Sequence, residues 1–226
     1  MLNDLLTQLA AKGPFSYVQF GGNDGVLADP LWPFLRDGGD RHVAAGHVFE
    51  PNPVYFERLV RNLGKFAQIT CHNCAIGSEG GPAEQALYFI HPDDVTTHNL
   101  PRWTMGLCSF YDDKNALGGV GSPQAAALYE TIKPFIRKVD VPCRSLAEAL
   151  EEIGVSGCDL LLSDAEGHDW EILRQWDVER FGRPAIIHAE IVCLNEAERS
   201  DMLAWFDTHR YHASIEGQNV TAQRID

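Results

Sequence analysis

Along the chain, short runs of consecutive apolar residues alternate with longer stretches whose apolar positions recur every three to four residues. The runs at 18–20, 48–49, 68–72, 139–142, 159–163 and 185–189 read as strands, and those at 159–163 and 185–189, built around Leu160-Leu161-Leu162 and Ala185-Ile186-Ile187, read as buried ones. Helical spacing joins Leu2, Leu5, Leu6 and Leu9, and it predicts a helix over 29–37 with Pro30 in its first turn and Gly38-Gly39 as its stop. Pro51-Asn52-Pro53 opens another helix, carried by Phe56, Leu59, Val60 and Leu63 to Gly64. Ser145 and Glu148 form a capping box ahead of Leu146, Ala149, Leu150 and Ile153. Further helices are expected over 169–176 and, capped by Asn195 with Glu198, to about residue 209. Residues 211–215 and 220–224, joined by Glu216-Gly217-Gln218, read as a closing antiparallel hairpin. The order predicts one α/β domain over 1–226, with a doubly wound, mostly parallel sheet and helices on both faces.

The regular units are interrupted between residues 86 and 137. Residues 86–90 and 106–111 read as a hairpin with a long tip, 117–124 is glycine-rich, and 125–137 has helical character. A connection this long inside a compact fold is expected to be an inserted lid. It carries His91, His98, Arg102, Trp103 and Tyr111, side chains able to contact a substrate.

The candidate chemistry begins at the first strand. Val18-Gln19-Phe20 leads into Gly21-Gly22-Asn23-Asp24-Gly25, and Val48-Phe49 ends in Glu50. In a doubly wound sheet the first turn lets the backbone approach a cofactor, and an acid closing the second strand can hold two ribose hydroxyls. A dinucleotide needs G-x-G-x-x-G spacing to seat its pyrophosphate. Here the third and sixth positions from Gly21 are Asn23 and Val26, and Asp24 would repel a diphosphate. S-adenosyl-L-methionine suits the turn better: it has no phosphate and carries a sulfonium and an ammonium that Asp24 and Asp29 would favour.

The formal net charge of -14 excludes a general nucleic-acid binder, which needs clustered Lys and Arg, but leaves small-molecule substrates open. Cys71 and Cys74 form one C-x-x-C around His72, but a structural zinc site wants a second close pair, so the six cysteines read as buried thiols of a reducing, cytoplasmic protein. No apolar run has the length of a membrane span.

Several segments together resemble the FkbM family of S-adenosylmethionine-dependent methyltransferases. They are residues 18–25, Val48-Phe49-Glu50-Pro51-Asn52-Pro53, Asn73-Cys74-Ala75-Ile76-Gly77, Ser145-Leu146, and the stretch from Asp159 to Gly167 with its D-x-E-G. The resemblance spans residues 18 to about 190 and implies a Rossmann-like, seven-stranded methyltransferase sheet and methyl transfer, typically to a hydroxyl oxygen. Carried across by position, it implies that Gly21, Gly22, Asn23 and Gly25 surround the methionine part of the cofactor. Glu50 would bind the ribose with Asn52 close by, Asn73 and Ala75 would border the adenine, and Asp164 would face the transfer centre. Two residues depart from the family pattern: Gln19 stands where an acid is usual, and Ser163 where a lysine is usual. They are the support for an alternative, a non-catalytic module that binds the cofactor.

Asp164 and Glu190 end adjacent central strands, where ligands gather, and are the expected catalytic carboxylates. Glu166 and His168 are further candidates, Glu166 competing with a helix-capping role, and His188 reads as a core histidine. No metal ligand set is assigned, although Asp164, Glu166 and Glu190 are oxygen donors of the kind a divalent cation takes.

Overall fold

A computed structural model describes residues 2–112, 117 and 123–225. Helix α1 (Leu2–Lys12) precedes β1 (Phe15–Phe20), α2 (Trp32–Arg36), β2 (Val43–Phe49), α3 (Pro53–Leu63), β3 (Ile69–His72) and the two-residue β4 (Ala75–Ile76). The insertion contains β5 (Glu84–Ile90), α4 (Pro92–Thr97), a 3-10 turn (Arg102–Met105), β6 (Cys108–Ser109) and α5 (Pro123–Ile132). There follow β7 (Ile136–Arg144), α6 (Leu146–Glu152), β8 (Leu160–Ser163), α7 (Asp169–Leu173), α8 (Val178–Phe181), β9 (Ile186–Glu190), α9 (Glu196–Thr208), β10 (Tyr211–Glu216) and β11 (Asn219–Arg224).

The main sheet has seven strands in the order β10-β11-β9-β8-β1-β2-β3. β3, β2, β1, β8 and β9 are parallel, while β11 runs antiparallel to both β9 and β10. This is the Rossmann-like, mostly parallel sheet with a C-terminal antiparallel hairpin. Its strands are apolar because both faces are covered. In β1, Val18 and Phe20 join one core while Phe15 and Tyr17 join the other; in β8, Leu161 faces the first and Leu160 and Leu162 the second.

Local signals set most boundaries. Asn52 Oδ1 accepts from Val54 N to start α3, and Ser145 and Asn195 close capping boxes at α6 and α9. The buried stripe of α3 is Tyr55, Leu59 and Leu63; Val60, expected in it, is 44% exposed. The helix expected over 29–37 shrinks to five residues, because Asp29 Oδ1 accepts from the backbone of Leu31 and Trp32 and holds the preceding segment as a turn. The helix expected over 169–176 ends at Leu173.

The larger correction concerns the second sheet. The strand expected at 139–142 extends over Ile136–Arg144 and lies outside the main sheet, in a four-stranded sheet ordered β4-β7-β5-β6. β5 pairs with β6 as expected, and along its whole length with β7. Ile136 and Arg137 therefore belong to a strand, and the helix expected over 125–137 is α5 followed by a 3-10 turn at Lys133–Phe135. The glycine-rich stretch at 117–124 lies, for residues 118–122, outside the described residues. Among the described residues, no helix is long and apolar enough to cross a membrane.

Candidate active site

The strand order reverses direction between β1 and β8, the place where an open α/β sheet leaves a crevice at its carboxyl edge. The crevice is a cavity of about 480 Å³, within the range of small-molecule and cofactor sites. Gly21 makes its first wall. With φ at +80°, its amide donates to Phe49 O, and a Cβ there would lie 1.8 Å from Asp164 O. Only glycine lets the turn after β1 cross the end of β8 so closely.

Glu50 is 2% exposed, and it ties two loops together. Its Oε2 accepts from Asn23 N at 2.7 Å and its Oε1 from Asn52 N at 2.8 Å, and each oxygen keeps capacity for a further donor. Burial pushes this carboxyl up to about 7, against the pull of those two amides.

Of the expected cofactor residues, Gly21, Gly22, Asn23, Glu50 and Ala75 line the cavity. Gly25, Asn52 and Asn73 do not. Gly25 packs against Leu59 and Leu63; Asn52 is fully buried as the α3 cap; Asn73 Nδ2 donates to the carbonyls of Glu50 and Pro51, fixing the loop that presents Glu50. Asp24 is likewise committed to its own turn, through Val26 N and Leu27 N.

The two departures from the family pattern have partners of their own. Gln19 Nε2 donates to Asp29 Oδ2 at 2.7 Å, and Asp29 lines the cavity. The amide at position 19 thus holds a carboxylate at the cavity wall. Ser163 Oγ donates to Asp169 Oδ1 at 2.6 Å, and the same carboxylate accepts from Ala165 N and Gly167 N, bracing the loop after β8.

That loop and the end of β9 bring Asp164, Glu166, His168 and Glu190 to the cavity wall. Burial first, then the Asp169 and Asp29 charges, push Asp164 up to about 7. Asp164 nevertheless keeps exposed surface and lines the cavity. Burial, with Asp164 and Asp169 nearby, pushes Glu190 up to about 9. Glu166 has left-handed backbone at φ +47° and takes Cys193 Sγ at 3.7 Å; it does not cap α7. His168 is buried and neutral, held by Tyr111 Oη at 3.2 Å and by the edge of Phe110. His188 bonds Thr221 Oγ1 inside the sheet and does not line this cavity.

The insertion forms the remaining wall through Leu87, Trp103, Leu107, Cys108 and Phe110. Asn23 Nδ2 donates to Met105 O, Asn52 Nδ2 to Cys108 Sγ, and Ser109 Oγ to Glu166 O. His91 and His98, expected as contact residues, are used locally: His91 caps α4 and His98 packs on Phe135. Sequence reasoning did not single out Leu87, Cys108 or Cys193, whose apolar or lone-thiol character carries no motif.

The cavity is chemically polarised. Ala75 and Leu87 belong to one apolar cluster with Cys108 and Phe110 against it, whereas Asp29, Glu50, Asp164, Glu166 and Glu190 supply five carboxyl groups. Among the described residues, no lysine or arginine lines it. Such a lining favours a cationic ligand with an apolar ring and opposes a diphosphate.

A family model described as the methyltransferase FkbM domain matches residues 19–213, so the chain belongs to the FkbM methyltransferase family. The family and fold are those of S-adenosylmethionine-dependent methyltransferases. No curated protein matches the sequence. Solved structures with a similar fold include a precorrin-6y C5,15-methyltransferase from Geobacter metallireducens, with 11% identity, TM-score 0.46, and coverage of 98% of this chain and 88% of that one. A ribosomal protein L11 methylase from Lactobacillus delbrueckii subsp. bulgaricus has 8% identity, TM-score 0.42 and coverage of 98% and 80%. TrmK of M. capricolum, solved with S-adenosyl-homocysteine, has 10% identity, TM-score 0.42 and coverage of 97% and 67%.

Proposed function

We propose that the chain transfers a methyl group from S-adenosyl-L-methionine to a hydroxyl oxygen of a small-molecule or sugar acceptor. The observation that carries this reading is the cavity itself, apolar at Ala75 and Leu87, acidic at Asp164, Glu166 and Glu190, with Glu50 set beside the Gly21 turn. The residues fit the cofactor: a sulfonium and an ammonium would meet carboxyl groups and, among the described residues, no competing cation.

Bound there, the cofactor supplies an electrophilic methyl carbon and a sulfur leaving group. Gly21, Gly22 and Asn23 hold the methionine part, with Asp29, positioned by Gln19, facing its ammonium. Glu50 accepts from the ribose hydroxyls, and Ala75 with its apolar neighbours takes the adenine. Asp164 and Glu190 orient the acceptor hydroxyl. With the cofactor bound, its methyl carbon would be the electrophile, and Asp164 or Glu190, if ionised, would accept the proton of the acceptor hydroxyl, help worth ~10²–10⁴-fold. The insertion at 86–137 serves as the lid that excludes water and shapes the acceptor pocket. The strongly negative chain and the size of the cavity support a small acceptor over a polynucleotide, and the six cysteines, which form no disulfide, support a cytoplasmic setting.

The alternative is a non-catalytic cofactor-binding module, suggested by Gln19 and Ser163; the contacts of those residues with Asp29 and Asp169 support the enzyme reading over it. Calorimetric titration with S-adenosylmethionine and S-adenosyl-homocysteine, then a methyl-release assay over a panel of hydroxylated metabolites, tests the proposal. Binding with turnover that drops at least 10²-fold in Asp164→Asn, at unchanged cofactor affinity, is the expected result. Binding without turnover on every acceptor returns the module reading, and full turnover in Asp164→Asn removes the role given to that carboxylate.

A further inference from the structure

At the acidic end of the cavity, two loops bring together three groups, of which the proposed reaction uses only Glu190. Glu190 ends β9, Cys193 follows three residues later, and Glu166 sits in the loop after β8. Among the described residues, one ligand atom from each of these three lies within 4.8 Å of the other two. Cys193 Sγ and Glu166 Oε2 are 3.7 Å apart. Across a tetrahedral zinc ion, with Zn–S of ~2.3 Å and Zn–O of ~2.0–2.2 Å, the corresponding S···O separation is ~3.5 Å.

A second observation is independent of this clustering. Glu190 is 9% exposed, and its Oε2 is a buried oxygen with no hydrogen-bond partner among the described residues. A buried carboxylate oxygen without a donor is costly unless a proton or a cation completes it. Among the described residues, no lysine or arginine lines the cavity to do so.

We infer that Glu166, Glu190 and Cys193 form a binding site for a single zinc ion at the acidic end of the cavity. Two carboxylates with one thiolate make a mixed hard and soft donor set, which suits zinc over magnesium or calcium, both of which prefer oxygen alone. Three protein ligands leave a fourth position open towards the cavity that all three residues line. Its chemical use would be to hold and acidify the acceptor hydroxyl; that use rests on the methyl transfer proposed above, whereas the binding site stands on the geometry alone.

The test starts from full-length protein stripped with a chelator and titrated with Zn²⁺ against a chromophoric competitor. One ion per chain is expected, with affinity reduced at least tenfold in Cys193→Ser, in Glu190→Gln and in Glu166→Gln, and unchanged in a Cys71→Ser/Cys74→Ser control. Loading with Co²⁺ in place of zinc should give a thiolate-to-metal absorption band that Cys193→Ser abolishes. S-adenosyl-homocysteine binding and far-UV circular dichroism confirm that each variant is folded, and Glu166→Gln, the change at a loop position, serves if a substitution near β9 fails to fold. A protein that takes up no zinc, or takes it up equally in all three variants, overturns the site. Zinc uptake without methyl transfer on any acceptor would leave the site standing and remove the proposed activity. Methyl transfer untouched by chelation, with no zinc bound, would do the reverse.

Discussion

Gly21→Ala separates steric necessity from backbone preference at the mouth of the site. A Cβ at this position would lie 1.8 Å from Asp164 O and 2.7 Å from Asp164 C, both backbone atoms. Relief requires the ends of β1 and β8 to part by more than 1 Å, which strains the Asp164 N to Phe20 O hydrogen bond at 3.0 Å. The left-handed backbone alone costs alanine ~1–2 kcal/mol, the strained hydrogen bond ~1 kcal/mol, and the overpacking ~1–3 kcal/mol. The sum is roughly 3–6 kcal/mol, a large part of the ~5–15 kcal/mol that stabilises a domain. Gly154→Ala is the control: it has a similar φ of +70° but nothing within 4 Å of the added carbon, so only the first contribution, ~1–2 kcal/mol, applies. Urea unfolding of both variants, with calorimetric titration of S-adenosyl-homocysteine, reads the difference. Gly21→Ala should lose at least ~2 kcal/mol more than Gly154→Ala, and at least tenfold in affinity, while Gly154→Ala binds like the parent. Equal stability losses, or unaltered affinity in Gly21→Ala, would refute the view that the turn is forced by its closeness to β8.

Because Glu50 sits at about 7 in the folded chain, above its ordinary carboxylate value, its contribution to stability is full below pH ~4.5 and is lost as the pH rises through about 7. The change amounts to at most about 3 kcal/mol by urea unfolding. Cofactor affinity should move the opposite way, rising from pH 6 to 8 as the carboxylate forms, and Glu50→Gln should flatten that rise in calorimetry. Gln19→Glu places a second acid 2.7 Å from Asp29 Oδ2; the melting temperature should fall at pH 8 and recover towards pH 5, where the pair can share a proton, and an unchanged melting temperature at pH 8 would contradict the pairing. Ser145→Ala removes the hydroxyl half of a capping box remote from the cavity, and should cost ~1 kcal/mol of stability with cofactor affinity intact.

What could be read from the chain and what could not divide along a physical line. α3 was legible because its cap, its first-turn proline and its apolar stripe are all local, and even there the spacing admitted Val60 to a face that the packing gives to Tyr55. β8 and β9 were legible because burial on both faces leaves them mostly apolar, with Leu160-Leu161-Leu162 in one and Ile186-Ile187 in the other. The second sheet was not, since β7 alternates polar and apolar residues like any half-covered strand, and its partner β5 is nearly fifty positions away. At the site, Glu50 and the glycine turn were legible from their positions after strands. Asn52 and Asn73 carry the same family signature, yet both support the loop that presents Glu50 and neither faces the cavity, a distinction only the hydrogen bonds make. Cys193 carries no periodic or motif signal, and its place beside Glu166 follows solely from the packing of two strand ends.

The wall built from the insertion is sewn to the rest of the site at three points, Asn23 to Met105, Asn52 to Cys108 and Glu166 to Ser109. Selectivity and cofactor grip are consequently not separable modules. A chimera that grafts another relative's insertion onto this scaffold would inherit new acceptor contacts only if those three stitches were remade, and without them the donor pocket itself would slacken. Exchanging individual side chains on that wall, such as Leu87, Trp103 or Leu107, would leave all three stitches in place.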